Sequence, residues 1–185
     1  MLASNQLLMS SLLTILLSVA LVNTARAEST ILHNPEVSAE LQDLKRTASA
    51  IRDEADALKS MTMNKRVSWE SHTSRLTALK GHVNEMGKAL AALENRKAAS
   101  TEQQVLAIEQ ARLHLVPVAQ SLTEAIELVG ERRTNVHWGE YTDAVSDIYA
   151  HAEALHTKLD IILDYEDARL RFDRLELQPA FTIGE

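Results

Sequence analysis

The side chains with the widest chemical reach in this sequence are its histidines, of which there are seven. Imidazoles that converge from different helices are what a zinc, copper or nickel site requires. If successive helices fold back on one another, Ala50 is reflected onto Lys80, then onto Val116 and then onto His151. His82, His114 and His151 fall in or beside that level, and His156 lies about one turn away. These four are the candidate metal ligands. Their directions argue against the idea. At roughly 100° per residue, His82 points about 90° from the apolar stripe of its segment and His114 about 120°. His151 and His156 point about 70° away, on opposite sides. Such positions suit solvated or boundary histidines better than ligands, with a groove between two helices as the alternative.

Glu153 and His156 form one E-x-x-H, the spacing that carries di-iron centres in helical bundles. Such centres need it twice, with two further glutamates, so none is expected. Two polar residues do fall on apolar stripes. His72 sits one turn into the second stripe and Arg112 lies mid-way along the third. A buried guanidinium needs a carboxylate partner, for which Glu85 and Glu109 are the nearest candidates. The expectation is that Arg112 snorkels and that both residues fix helix register; a central anion or carboxylate site is the alternative. Trp69, Trp138 and Tyr141 gather at one end of the folded chain, with His72 and His137 close by. Aromatic rings there are expected to plug the core. Trp69, Trp138, Tyr141, His72 and Arg112 are the residues on which any small-molecule site would rest.

The elements that position these groups are legible from hydrophobic spacing. Val37, Leu41, Leu44, Ala48, Ile51, Ala55 and Leu58 recur at 4-3-4-3-4-3, a heptad seam. A second seam runs Trp69, His72, Leu76, Leu79, Val83, Met86, Leu90, Leu93. A third runs Val105, Ile108, Arg112, Leu115, Ala119, Leu122, Ile126, Val129, and a fourth Trp138, Tyr141, Val145, Ile148, Ala152, Leu155, Leu159, Ile162. Pro35 and Ser68 mark helix starts, Ser100 or Thr101 caps the third helix, and Gly130 is a natural stop. Pro117 is expected to kink the third helix near Leu113 without breaking it. Helices with one apolar stripe are stable only against one another. The expected fold is therefore all-α: an antiparallel up-down-up-down four-helix bundle over residues 35–177 with coiled-coil-like seams. Residues 28–34 form a disordered lead and 178–185 a loose tail. In outline this is similar to the exported four-helix cytochromes, a resemblance that would imply haem held by an early methionine and a late histidine. Met61 and Met63 close the first helix, and His151 and His156 lie mid-helix, so haem is not expected.

Residues 1–27 read as a signal peptide: one charge at Arg26, a dense apolar run from Leu12 to Val22, and Ala25-Arg26-Ala27 as the cleavage pattern. Serines and Thr14 interrupt the run, which is shorter than the roughly 20 apolar residues a membrane span needs. An uncleaved anchor is the alternative, and the expected location is periplasmic or secreted. Losing Arg26 takes the net charge of −7 to −8. With no basic stripe, nucleic-acid binding is not expected. With no cysteine there is no disulfide, thiolate or Cys-ligated metal. No serine-nucleophile elbow, phosphate loop, H-E-x-x-H or calcium loop occurs. No cofactor and no enzymatic activity are expected. The reading is an exported binding or scaffold protein, with a histidine-based metal or cofactor bundle as the alternative. Leu106, Leu113, Ile161 and Leu163, beside the third and fourth seams, either widen the core or form a dimer or partner surface.

Overall fold

A computed structural model describes residues 34–131 and 133–176. The expected signal peptide, most of the expected lead and the tail lie outside the described residues. Four helices account for nearly everything described, and no strand occurs among those residues: α1 (Pro35–Thr62), α2 (Trp69–Glu94), α3 (Glu102–Glu131) and α4 (Gly139–Glu176). Each begins where local chemistry favours it. Asn34 caps α1, its Oδ1 accepting from the backbone N–H of Glu36 at 3.1 Å and of Val37 at 3.3 Å, and Pro35 occupies the first turn. Ser68 caps α2 through the Ser71 N–H. Thr101 and Gln104 close α3 reciprocally: the Gln104 N–H donates to Thr101 Oγ1 at 3.2 Å, and the Thr101 N–H donates to Gln104 Oε1 at 3.0 Å. This is a capping box. Short 3-10 turns, Lys97–Ala99 and Arg133–Asn135, lead into α3 and α4.

The helices assemble as a bundle in which α1 packs on α2 and α4, and α3 packs on α2 and α4. Arg96 meets Glu40 at 2.7 Å and Arg75 meets Glu54 at 2.8 Å. Lys45 lies 2.6 Å from Asp160, and Arg52 Nη1 lies 3.3 Å from His156 Nδ1, both between α1 and α4. These exposed pairs contribute little to stability, at most about 1 kcal/mol each. Apolar burial holds the bundle. The seven residues of the first seam are the seven buried residues of α1. The second seam is buried from His72 to Leu93, with Trp69 half-buried at its head.

The third seam is turned from the one expected. Its buried residues are Gln104, Ala107, Ile108, Ala111, Leu115, Val118, Leu122, Ala125 and Val129. Ile108, Leu115, Leu122 and Val129 belong to both readings, and the heptad is completed by Gln104, Ala111, Val118 and Ala125 instead of Val105, Arg112, Ala119 and Ile126. Both sets alternate 3 and 4, so spacing cannot separate them. Cost does: one register buries a guanidinium, the other three small or branched apolar side chains and one amide that is hydrogen-bonded. Arg112 is thereby outside the core, its side chain 64% exposed, with Nε 3.4 Å from Glu94. α3 runs unbroken through Pro117.

On α4 the seam begins at Tyr141, not Trp138. Gly139 opens the helix at a φ of 58°, a left-handed value that a side chain would strain, so Trp138 precedes the helix and is exposed. At the other end Leu163 is buried among the core residues and Ile162 is only half-buried, which removes Leu163 from any outer surface. Leu106, Leu113 and Ile161 are exposed.

Two substitutions one residue apart check the register of α3. Arg112→Met is expected to change unfolding free energy by no more than about 0.5 kcal/mol. Ala111→Arg, forcing a charge into a fully buried alanine site, is expected to cost several kcal/mol or prevent folding. Chemical denaturation followed by circular dichroism measures both. Equal effects would mean that the third seam lies elsewhere.

Candidate functional site

The polar groups that the fold draws together lie at the pole where the α1–α2 and α3–α4 connections meet. His72, in the first turns of α2, is fully buried. Its Nδ1 is 2.9 Å from the hydroxyl of Tyr141, itself buried on α4. The ring of His137 stands edge-on to His72 at 5.5 Å between centroids, and Tyr141 does the same from the other side. His137 comes from the α3–α4 connection and reaches the opposite loop: Nδ1 lies 3.1 Å from the Thr62 carbonyl and Nε2 3.1 Å from the Val67 carbonyl. One imidazole therefore ties the end of α1 and the start of α2 to the entrance of α4.

Hydrogen-bond accounting assigns the protons. If the Tyr141 O–H donates to His72 Nδ1, only His72 Nε2, which has no partner among the described residues, is left unsatisfied. The reverse assignment would orphan the tyrosine hydrogen as well, so tyrosine is the donor and His72 carries its hydrogen on Nε2. Burial pushes the Tyr141 hydroxyl pKa far up, in keeping with that role. Burial first, and the charge of His137 second, lower His72 to about 4. His72 is thus a neutral ring in the core, and His137 links two loops through its contacts with the Thr62 and Val67 carbonyls.

The tryptophans sit outside this cluster. Trp69 is half-buried against the core with the Arg133 guanidinium 4.4 Å over its ring. Trp138 is exposed and carries Lys65 Nζ at 4.2 Å. The rings fasten basic loop residues by cation–π contact and, for Trp138, do not plug the core. The cluster can hold register and titrate. His72 has no exposed atom to offer a substrate.

The other expected residues are not brought together there. His114 and His151 are neighbours across α3 and α4, and burial, Lys158 and His151 in that order lower the His114 pKa. His156 is engaged with Arg52, and His82 is half-buried on α2. Among the described residues there is no group of three His, Cys, Asp or Glu that could hold a metal. An open groove of about 540 Å³ lies between α2 and α3, lined mainly by Val83, Gly87, Ala91, Leu115, Val116 and Ala119; it is apolar and remote from the histidine cluster. Two buried polar residues escaped the sequence reading. Gln104 donates through Nε2 to the Asn34 carbonyl at 3.1 Å and to Ser38 Oγ at 2.9 Å, and the T-x-x-Q spacing with Thr101 was the available signal. Glu166, which accepts from Thr101 Oγ1 at 3.4 Å, carries no signal beyond its place seven residues after Leu159. No family model matches the chain, and no curated protein or solved structure does.

The histidine shift gives a pH prediction. A folded value of about 4 against an ordinary 6.5 means that the unfolded chain binds more protons between those limits. Stability then falls as pH drops from 6.5 to 4, by up to about 3 kcal/mol from this residue alone. A protein with both His72→Phe and Tyr141→Phe, which leaves no orphaned partner, is expected to lose that much less over the same range. Parallel urea titrations across the interval measure the difference. Identical slopes in the two proteins would remove His72 as the cause.

Proposed function

We propose that this chain is exported by its N-terminal segment and acts there as a non-enzymatic binding or scaffold protein. Its framework is an antiparallel up-down-up-down bundle with coiled-coil-like seams. The reversed order of the pairs Glu40–Arg96, Glu54–Arg75 and Lys45–Asp160 supports that topology. The apolar run and Ala25-Arg26-Ala27 support export. One observation carries the binding reading: large apolar side chains outside the core are left facing water, most of all on the last turns of α4, where Tyr165, Phe172 and Leu175 are each about 60% exposed. Exposed apolar surface in contiguous rows marks contact with another macromolecule. Leu106 and Leu113 on α3 and Ile161 on α4 are exposed as well.

The metal reading draws on one specific observation, the proximity of His114 and His151. Two imidazoles fall short of the three or four protein ligands of a zinc site. Zinc or copper added to untagged protein is expected to leave the melting temperature unchanged. A rise that His114→Ala abolishes would favour metal instead.

Two measurements test the main proposal in the native cell. Intact mass of the protein is expected to show a mature chain beginning at Glu28; a chain retaining Met1 in the cytosol overturns export. A photoreactive residue placed at Leu113 or Phe172 is expected to give protein crosslinks from at least one position. None from either would overturn the binding reading.

A further inference from the structure

We infer that the outward face of α4 is a self-association surface, pairing with the same face of a second copy of this chain in parallel and in register. This rests on the binding reading above and names the partner for one part of that surface. Ile161, Tyr165, Ala168, Phe172 and Leu175 recur at 4-3-4-3, a second heptad on a helix whose first heptad is already used for the core. All five are exposed. At roughly 100° per residue this stripe points about 180–200° from the buried one, directly away from the bundle. A stripe with that period fits a helix of the same period.

The end of α4 also lacks support of its own. Glu166 is its last buried residue, and from Asp167 to Glu176 the helix continues for almost three turns with none of its residues buried. A helical extension of this length is marginal in water without packing; Leu170 is half-buried, and its other large apolar side chains, Phe172 and Leu175, face solvent. Ala168, the small residue at the middle of the stripe, allows two such helices to approach closely.

Charge selects the partner and its direction. Taking Ile161, Ala168 and Leu175 as the d positions and Tyr165 and Phe172 as the a positions, the flanking g residues are Asp164 and Arg171. The e residues are Ile162, Arg169 and Glu176. In a parallel pair each g residue meets the following e residue of the other helix. Asp164 then meets Arg169 and Arg171 meets Glu176, opposite charges both times and on both sides of the dimer. Asp164 already holds Lys45 at 3.0 Å and stays 67% exposed, so it can serve both. A head-to-tail pair centred on Ala168 would match Asp164 with Arg171 but set Arg169 against its own copy, so the parallel pair has the fuller charge match. The charges on this face therefore complement the face itself.

Sedimentation of the full mature chain is expected to show a reversible monomer–dimer equilibrium; a single monomeric species up to high-micromolar concentration overturns the proposal. Phe172→Glu combined with Leu175→Glu is expected to give a folded monomer, because both side chains are outside the core, and a persisting dimer overturns the assignment to this face. Arg171→Glu should weaken association on the order of tenfold, and adding Glu176→Arg should restore it. Failure of that rescue overturns the parallel register. Since the chain has no cysteine, Leu175→Cys gives a second reading of direction: mild oxidation links two copies at this position in a parallel pair, and absence of the link overturns it. The photoreactive residue at Phe172 separates the two levels of the argument. Crosslinks to the chain itself support the dimer; crosslinks only to another protein overturn it and leave the binding reading standing; no crosslink from Phe172, with a product from Leu113, likewise overturns the dimer alone.

Discussion

Everything in this protein follows from the burial of four apolar stripes with a 3.5-residue period. None of the helices can hold its stripe in water alone, and the chain has no disulfide to compensate. Short connections bring each helix against its sequence neighbours, and α4 closes the ring against α1. Once those stripes are paired, the outer faces are left to charge, and ion pairs such as Lys45–Asp160 decorate the contacts without holding them. The histidine cluster exists because the second stripe carries an imidazole where it would otherwise carry a leucine. That one polar atom in the seam fixes the need for Tyr141 opposite it.

Where the stripe was unambiguous, the fold was legible residue by residue. The α1 seam, the Ser68 cap and the helical passage through Pro117 all follow from spacing and local chemistry. The α3 seam was not legible, because Ile108, Leu115, Leu122 and Val129 are shared by two heptads that differ by one residue in the other half. Burial cost decides between them, and periodicity carries no cost. The entrance to α4 shifted for a related reason: Trp138 fits the rhythm, but the left-handed Gly139 after it places the first helical turn one residue later.

The site was legible only in part. The gathering of His72, Tyr141 and Trp69 at one pole follows from counting along the seams. The role of His137 does not, since its partners are the backbone carbonyls of Thr62 and Val67, which no side-chain pattern reveals. Of the mid-bundle histidines, His151 adds to the electrostatics of His114, while His156 turns to Arg52.

Gln104 has a consequence for how the bundle opens. The same amide that closes the cap of α3 also reaches the Asn34 carbonyl, seventy positions earlier in the chain. The starts of α1 and α3 are consequently not independent ends. Fraying of one helix withdraws a partner from the other, so opening of the two first turns is coupled through this amide.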